Sequence, residues 1–170
     1  GRFIAFIDSD DLWTPEKLEV QIGFMKETGS YLTYTGYKRV HKNGRPRSGI
    51  TVRVPEVVTY SKLLRSDCII PSTAVYDTAV TGRVYQDLDA PLGRDDLHFF
   101  LSLLERHGPA AGINRDLARF RIYGDSLTGN KLVSARRQWL FYRESMGLGP
   151  ATSASCFGVY AVKGMIKYLL

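Results

Sequence analysis

Cysteine is scarce: Cys68 and Cys156 stand far apart and fall into no metal-ligand or redox spacing. That excludes a disulfide framework or a structural zinc site as the organising principle, and makes a reducing cytoplasm the default compartment. An initiating methionine is also missing. Gly1 is followed at once by Arg2-Phe3-Ile4-Ala5-Phe6-Ile7, which reads as a buried strand with no lead-in and no signal peptide, so a chain cut at its N-terminus is expected. Acid is absent between Lys38 and Arg53, where six Lys or Arg fall, a run that accounts for the net charge of +6. Such a patch seeks phosphate, whether in nucleic acid, anionic lipid or a diphosphate ligand. There is no internal repeat and no low-complexity tract. What is present, 44% hydrophobic and 12% aromatic residues over 170 positions, suffices for one core.

Along the chain, Thr14-Pro15-Glu16 predicts a helix N-cap with proline at the first helical position, and Leu18, Ile22 and Met25 recur at helical spacing up to Gly29. Tyr31 to Val40 is a strand candidate, Asn43-Gly44 a hairpin signal, and Ile50 to Val54 the returning strand. A short helix is expected from Tyr60 to Arg65 and a proline-entered strand from Ile69 to Tyr76, followed by a loop to Gly93. Leu97, Phe100, Leu101 and Leu104 mark a helix with Asp95 and Asp96 in its first turn and His107-Gly108-Pro109 as its stop. A strand from Leu117 to Tyr123, a helix from Leu132 to Ser145 and a last, mostly apolar helix from Ser153 to Leu170 complete an α/β pattern.

The chemistry concentrates in Asp8-Ser9-Asp10-Asp11, directly after the first strand. At the carboxyl edge of an open α/β sheet, ligands bind there. Two carboxylates separated by one residue can hold a hard divalent cation that also bridges a substrate diphosphate. The plain alternative is loop chemistry ahead of a helix. Asp95 and Asp96 have a plain alternative too, since acids in a first turn favour the positive end of the helix dipole.

Strand, acid cluster, Leu12-Trp13 and Pro15-Glu16-Lys17-Leu18 together resemble the Asp-x-Asp segment of family 2 glycosyltransferases, whose usual form is Gly-x-Phe-Ile-Ala-Phe-x-Asp-Ser-Asp-Asp-x-Trp-x-Pro-x-Lys-Leu. The likeness continues through Tyr34-Thr35-Gly36-Tyr37, Thr73-Ala74-Val75-Tyr76, Asp95-Asp96, Phe120-Arg121 and Ser126-Leu127-Thr128-Gly129-Asn130-Lys131. Gln138-Trp139, Tyr142-Arg143-Glu144 and Tyr160-Ala161-Val162-Lys163-Gly164 resemble a subgroup assigned to teichuronic-acid and exopolysaccharide synthesis.

The resemblance implies a partial GT-A fold, a Rossmann-like nucleotide-diphospho-sugar transferase lacking its N-terminal nucleotide-binding strands, with C-terminal helices. It implies inverting sugar transfer from a nucleotide-diphosphate sugar, a UDP-sugar by family habit, to a glycan or polyprenyl-diphosphate-linked acceptor in cell-surface polysaccharide synthesis. Mn2+ or Mg2+ is the implied cofactor. Asp10 is then the direct metal ligand, Asp8 approaches the donor ribose or the metal, and Asp11 braces the turn. Asp96 is the catalytic base and Asp95 its supporting neighbour, while Arg121 stands near the donor diphosphate. A histidine often found in the family two residues later is Tyr123 here, so a third metal ligand from this segment is not expected. Trp13 is either a sugar platform or a core plug.

The expected organisation is an acceptor-side catalytic part over 1–131 and a helical, membrane-associated segment over 132–170. At about 1.5 Å per residue the last helix is marginal for spanning a bilayer, and Lys163 and Lys167 favour the cytoplasmic membrane face. The competing account packs that helix on the core. The 170 residues alone are expected to be inactive. Two other functions compete: a magnesium-dependent, haloacid-dehalogenase-like phosphatase, whose motif places Thr or Val where Leu12 stands, and a non-catalytic basic module for membrane or polyanion. No nucleic-acid-binding motif accompanies the basic run, so nucleic acid is not an expected partner.

Overall fold

The computed structural model describes residues 1–86, 94–122 and 131–169, apart from the side chains of 131 and 164–169. Tyr123, the segment 126–130 and the side chain of Lys167 lie outside the described residues. A single mixed sheet runs in the order β1 (Phe3–Ala5), β6 (Val75–Asp77), β3 (Leu32–His41), β7 (Ala110–Ile122) and β2 (Leu12–Trp13). Two further strands lie off this path: β4 (Pro46–Val52) pairs with β3, and β5 (Val57–Val58) pairs with β7. The parallel pair β3–β7 forms the middle, and every residue from Leu32 to Tyr37 is buried, as expected of a strand covered on both faces.

Several elements differ from the sequence reading. The first strand is three residues long, half-buried and at the sheet edge, and Ile7 is half exposed. Pro71–Thr73 is a 3-10 turn before β6, so the proline-entered strand starts only at Val75. β7 begins at Ala110, well before Leu117, because Gly112 and Ile113 pair with Tyr34 and Thr35 across the sheet.

The first helix, α1 (Lys17–Thr28), also departs from expectation. Its N-cap is Glu16, and the Thr14 carbonyl instead accepts from the Lys17 amide in a turn. The face it buries is Lys17, Gln21 and Met25, while Leu18 is exposed. Polar partners on the sheet decide that orientation: Gln21 Nε2 donates to Thr33 Oγ1 at 3.1 Å and to the Thr73 carbonyl at 3.0 Å. Buried hydrogen bonds of this kind outweigh a weak apolar periodicity.

The returning strand of the hairpin is Pro46–Val52, starting earlier than Ile50, and the expected loop after Tyr76 opens with a short helix. His41 and Arg45 close the hairpin around Gly44, whose φ is 78°. The helix α2 (Tyr60–Leu64) is capped by Thr59, and a four-residue helix, α3 (Thr78–Thr81), follows β6. Helix α4 (Asp95–His107) buries Leu97, Phe99, Phe100, Leu101, Leu103 and Leu104 and ends at Gly108 with φ 88°.

The C-terminal helices are α5 (Lys131–Leu140), extended by a π-helical turn over Phe141–Ser145, and α6 (Pro150–Leu169). Helix α6 turns Ser153 and Cys156 inward, with Cys156 in the main core cluster and the Phe157 ring edge-on to Trp139 at 6.1 Å. Its outer face exposes Val159 and Val162. Among the described residues no helix is long and apolar enough to cross a membrane.

Candidate functional site

Because β1 and β2 sit at opposite ends of the strand path, the residues joining them must cross the ends of the central strands. Phe6 anchors the near end of that crossing. Its ring lies 5.4 Å from Phe99, 5.9 Å from Tyr76 and 6.1 Å from Phe100, and each such aromatic pair contributes about 0.5–1.5 kcal/mol beyond area burial. Two residues later the Asp8 amide donates to Ser72 Oγ at 3.0 Å, and the Asp11 amide donates back to the Asp8 carbonyl at 3.0 Å. Trp13 fixes the far end by donating its indole N–H to the Ser72 carbonyl at 2.7 Å. The acid turn is therefore held at three points, and Ser72 supplies two of them.

Arg121 holds the turn from the β7 side. Its amide donates to Asp11 Oδ1 at 2.9 Å, its Nε donates to the Asp10 carbonyl at 2.6 Å, and its Nη1 reaches the Lys42 carbonyl at the hairpin. The geometry shows Arg121 bracing the turn through the Asp10 carbonyl and the Asp11 carboxylate. Asp11 is buried, whereas Asp8 is exposed and Asp10 half-buried.

Anchored by the aromatic contacts of Phe6, the turn faces the start of α4. The Asp8 carboxyl is raised above the usual range by desolvation, then by the neighbouring Asp10 carboxylate, with Asp95 adding to the same effect against the opposing Ser72 hydroxyl. Asp8, Asp10 and Asp95, which the sequence named separately, thus share one electrostatic neighbourhood. Asp96 lies on the same first turn of α4. Burial first, and then the Asp67 carboxylate, push its carboxyl up to about 6. That value leaves it ionised near neutral pH yet basic enough to take a proton.

Three residues to which the sequence reading gave no role surround this centre. Lys17 is fully buried, donates to Gln21 Oε1 at 2.5 Å and lies 4.4 Å from the centre of the Trp13 ring. One face of Trp13 is therefore occupied by a cation. Asp67 has φ 40° and binds Arg94. Ser72 was visible only as a member of the segment before β6. None of the three is set apart by hydropathy or spacing, and the left-handed Asp67 alone carries a faint signal, since Asp is among the residues that tolerate that backbone.

A divalent cation fits the acid turn on its chemistry. The Asp8 carboxyl, whose proton affinity the neighbouring Asp10 carboxylate raises, is relieved by positive charge, and a hard cation that keeps water and takes substrate phosphate needs only one or two protein carboxylates. Among the described residues no three His, Cys, Asp or Glu converge as a metal cage, so Asp8 and Asp10 would act as a pair.

Comparison with known proteins points the same way. The profile of "Glycosyl transferase family 2" matches residues 1–120. A Bacillus subtilis protein named as a teichuronic acid biosynthesis glycosyltransferase, TuaG, is 35% identical over 99% of this chain and 66% of its own length. The Escherichia coli UDP-Glc:alpha-D-GlcNAc-diphosphoundecaprenol beta-1,3-glucosyltransferase WfgD is 31% identical over 82% of this chain and 53% of its own length. The chain thus spans between about half and two thirds of these relatives. Among solved structures, Staphylococcus aureus TarS 1-349 superimposes with a TM-score of 0.51 at 22% identity, covering 95% of this chain and 46% of that one. Its complex with UDP gives 0.50 over 92% and 45%. These superpositions establish the partial GT-A architecture. With the family profile matched over most of its length and the acid turn set in that architecture, the chain belongs to glycosyl transferase family 2.

Proposed function

We propose that the whole protein transfers a hexose, with inversion, from a UDP-sugar to a glycan or polyprenyl-diphosphate-linked acceptor in cell-surface polysaccharide synthesis. The observation that carries this reading is the packing of Phe6, two residues before Asp8, on Phe99 and Phe100 of α4, which sets the Asp8–Asp10 turn beside the helix that begins with Asp95 and Asp96. Support for donor and acceptor classes comes from the UDP complex of TarS and the printed activity of WfgD.

Asp10 and Asp8 would hold Mn2+ or Mg2+, which when bound supplies charge neutralisation for the departing diphosphate. Arg121 keeps the two carboxylates at the sheet edge by bonding the Asp10 carbonyl and the Asp11 carboxylate. Asp96 accepts the proton of the acceptor hydroxyl as that oxygen attacks the anomeric carbon from the face opposite the diphosphate. Asp95 supports it from the same helical turn.

In this reading residues 1–131 carry the acceptor-side catalytic work. The segment 132–170 attaches to the cytoplasmic membrane face through the outer side of α6, where Val159, Val162 and Lys163 are exposed. Asp10→Ala in the whole protein tests the metal assignment. Turnover with a UDP-sugar and Mn2+ should be lost with the fold retained, and full activity in the variant or in excess chelator would refute it.

A further inference from the structure

Asp96 has a guanidinium two residues before it, at the entrance of its own helix, yet the two do not pair. Arg94 is engaged elsewhere. Its Nη1 donates to Asp67 Oδ2 at 2.9 Å, its Nη2 donates to the Tyr160 hydroxyl at 2.9 Å, and its guanidinium carbon lies 5.7 Å from the centre of the Tyr160 ring. The side chain is mostly buried, 13% exposed, so these contacts are little screened by water. Asp67 takes a left-handed backbone with φ 40°, a conformation that costs a non-glycine residue energy and persists only where its surroundings demand it. Tyr160 comes from α6, the most distant element in sequence, which packs its Cys156 side onto the core.

We propose that Asp67 and Tyr160 are positioning residues that clamp Arg94 away from Asp96, so that the carboxylate at the start of α4 stays free of an ion pair and remains a competent base. The inference rests on the assignment of Asp96 as base. An Arg–carboxylate pair would hold the carboxylate in its charged form and weaken it as a proton acceptor, whereas a clamped guanidinium acts only at a distance. The groups that bear on Asp96 are Asp67 from the turn after α2, the Leu97 amide, which donates to Asp96 Oδ1 at 2.7 Å and lowers its proton affinity, Arg94 and Asp95 from the start of α4, and, through Arg94, Tyr160 of α6. Asp67 and Asp95 raise the affinity of Asp96 for a proton and Arg94 lowers it, with burial the largest contribution. The same clamp makes the C-terminal helix part of the catalytic apparatus.

The test is a carbon-13 NMR titration of the Asp96 carboxyl, without added metal, in the protein and three variants. Asp67→Asn keeps a residue type that tolerates the left-handed backbone. It should lower the Asp96 midpoint by about one pH unit, because it removes a nearby negative charge and releases Arg94. Tyr160→Phe changes no charge and should lower the midpoint by a smaller amount. Arg94→Met should raise it. A purely structural role would not give shifts of opposite sign. An unchanged midpoint in Asp67→Asn or Tyr160→Phe, or a fall in Arg94→Met, would overturn the clamp. In the whole protein the acid limb of kcat/KM should move with each midpoint. Midpoints that shift while that limb stays put would leave the clamp standing and remove Asp96 from the role of base.

Discussion

The ammonium of Lys17 lies 4.4 Å from the centre of the Trp13 ring and is completely buried, with Gln21 Oε1 as its hydrogen-bond acceptor. Burial pulls its pKa from 10.5 down to about 7. The Trp13 face favours the charged form by about 0.5–2 kcal/mol, which opposes part of that fall.

A folded-state value below the unfolded one means that the unfolded chain binds more protons between about 7 and 10.5, so stability should rise with pH across that window. Below about 7 the group is charged in both states and the cost of burying it is fully present, on the order of a few kcal/mol. Lys17→Met should abolish this dependence. Urea denaturation of both proteins at several pH values between 7 and 10 checks it, and the difference between the two curves isolates Lys17 from other titrating groups.

Gly112 has no room for a side chain. A Cβ there would lie 2.1 Å from the Pro55 carbonyl oxygen, and the Gly112 amide donates to the Glu56 carbonyl at 2.8 Å. Gly112→Ala must part β7 from the segment leading into β5, at a cost of about 1–3 kcal/mol. Thermal denaturation should show a lower Tm.

Asp11 should matter to the turn more than to the reaction. Asp11→Ala leaves the Arg121 amide without its acceptor and frees the Asp8–Asp10 turn from β7, with a stability loss of about 1–3 kcal/mol. In a transfer assay on the whole protein, the variant should need more Mn2+ for half-maximal rate, as a loosened ligand pair requires.

The sequence was most legible where local chemistry and the fold agree. Asn43-Gly44, the Leu97–Leu104 stripe and the His107-Gly108 stop each specify their own geometry, and each appears as read. The helix after Thr14 was misread because its buried face is polar: Gln21 is chosen by hydrogen bonds to Thr33 of β3 and to the Thr73 carbonyl, and Lys17 by its bond to Gln21, none of which any period reveals. β7 was read seven residues short at its start because Gly112 and Asn114 look like turn residues, whereas Gly112 pairs with Tyr34 of β3 and Asn114 lies where the pairing register shifts within the same strand. At the site, the acid pairs stood out by type and place. Asp67, Arg94 and Tyr160 did not, since their meeting depends entirely on how α2, α4 and α6 pack.

The central claim is that Asp96 takes the acceptor proton. Its most direct test is the rate of sugar transfer by the whole protein carrying Asp96→Asn, with UDP-sugar and Mn2+ saturating. A carboxamide of the same shape preserves the first turn of α4 but cannot accept a proton. The account predicts kcat lower by about two to four powers of ten with the donor KM retained. Near-normal kcat in Asp96→Asn would contradict it.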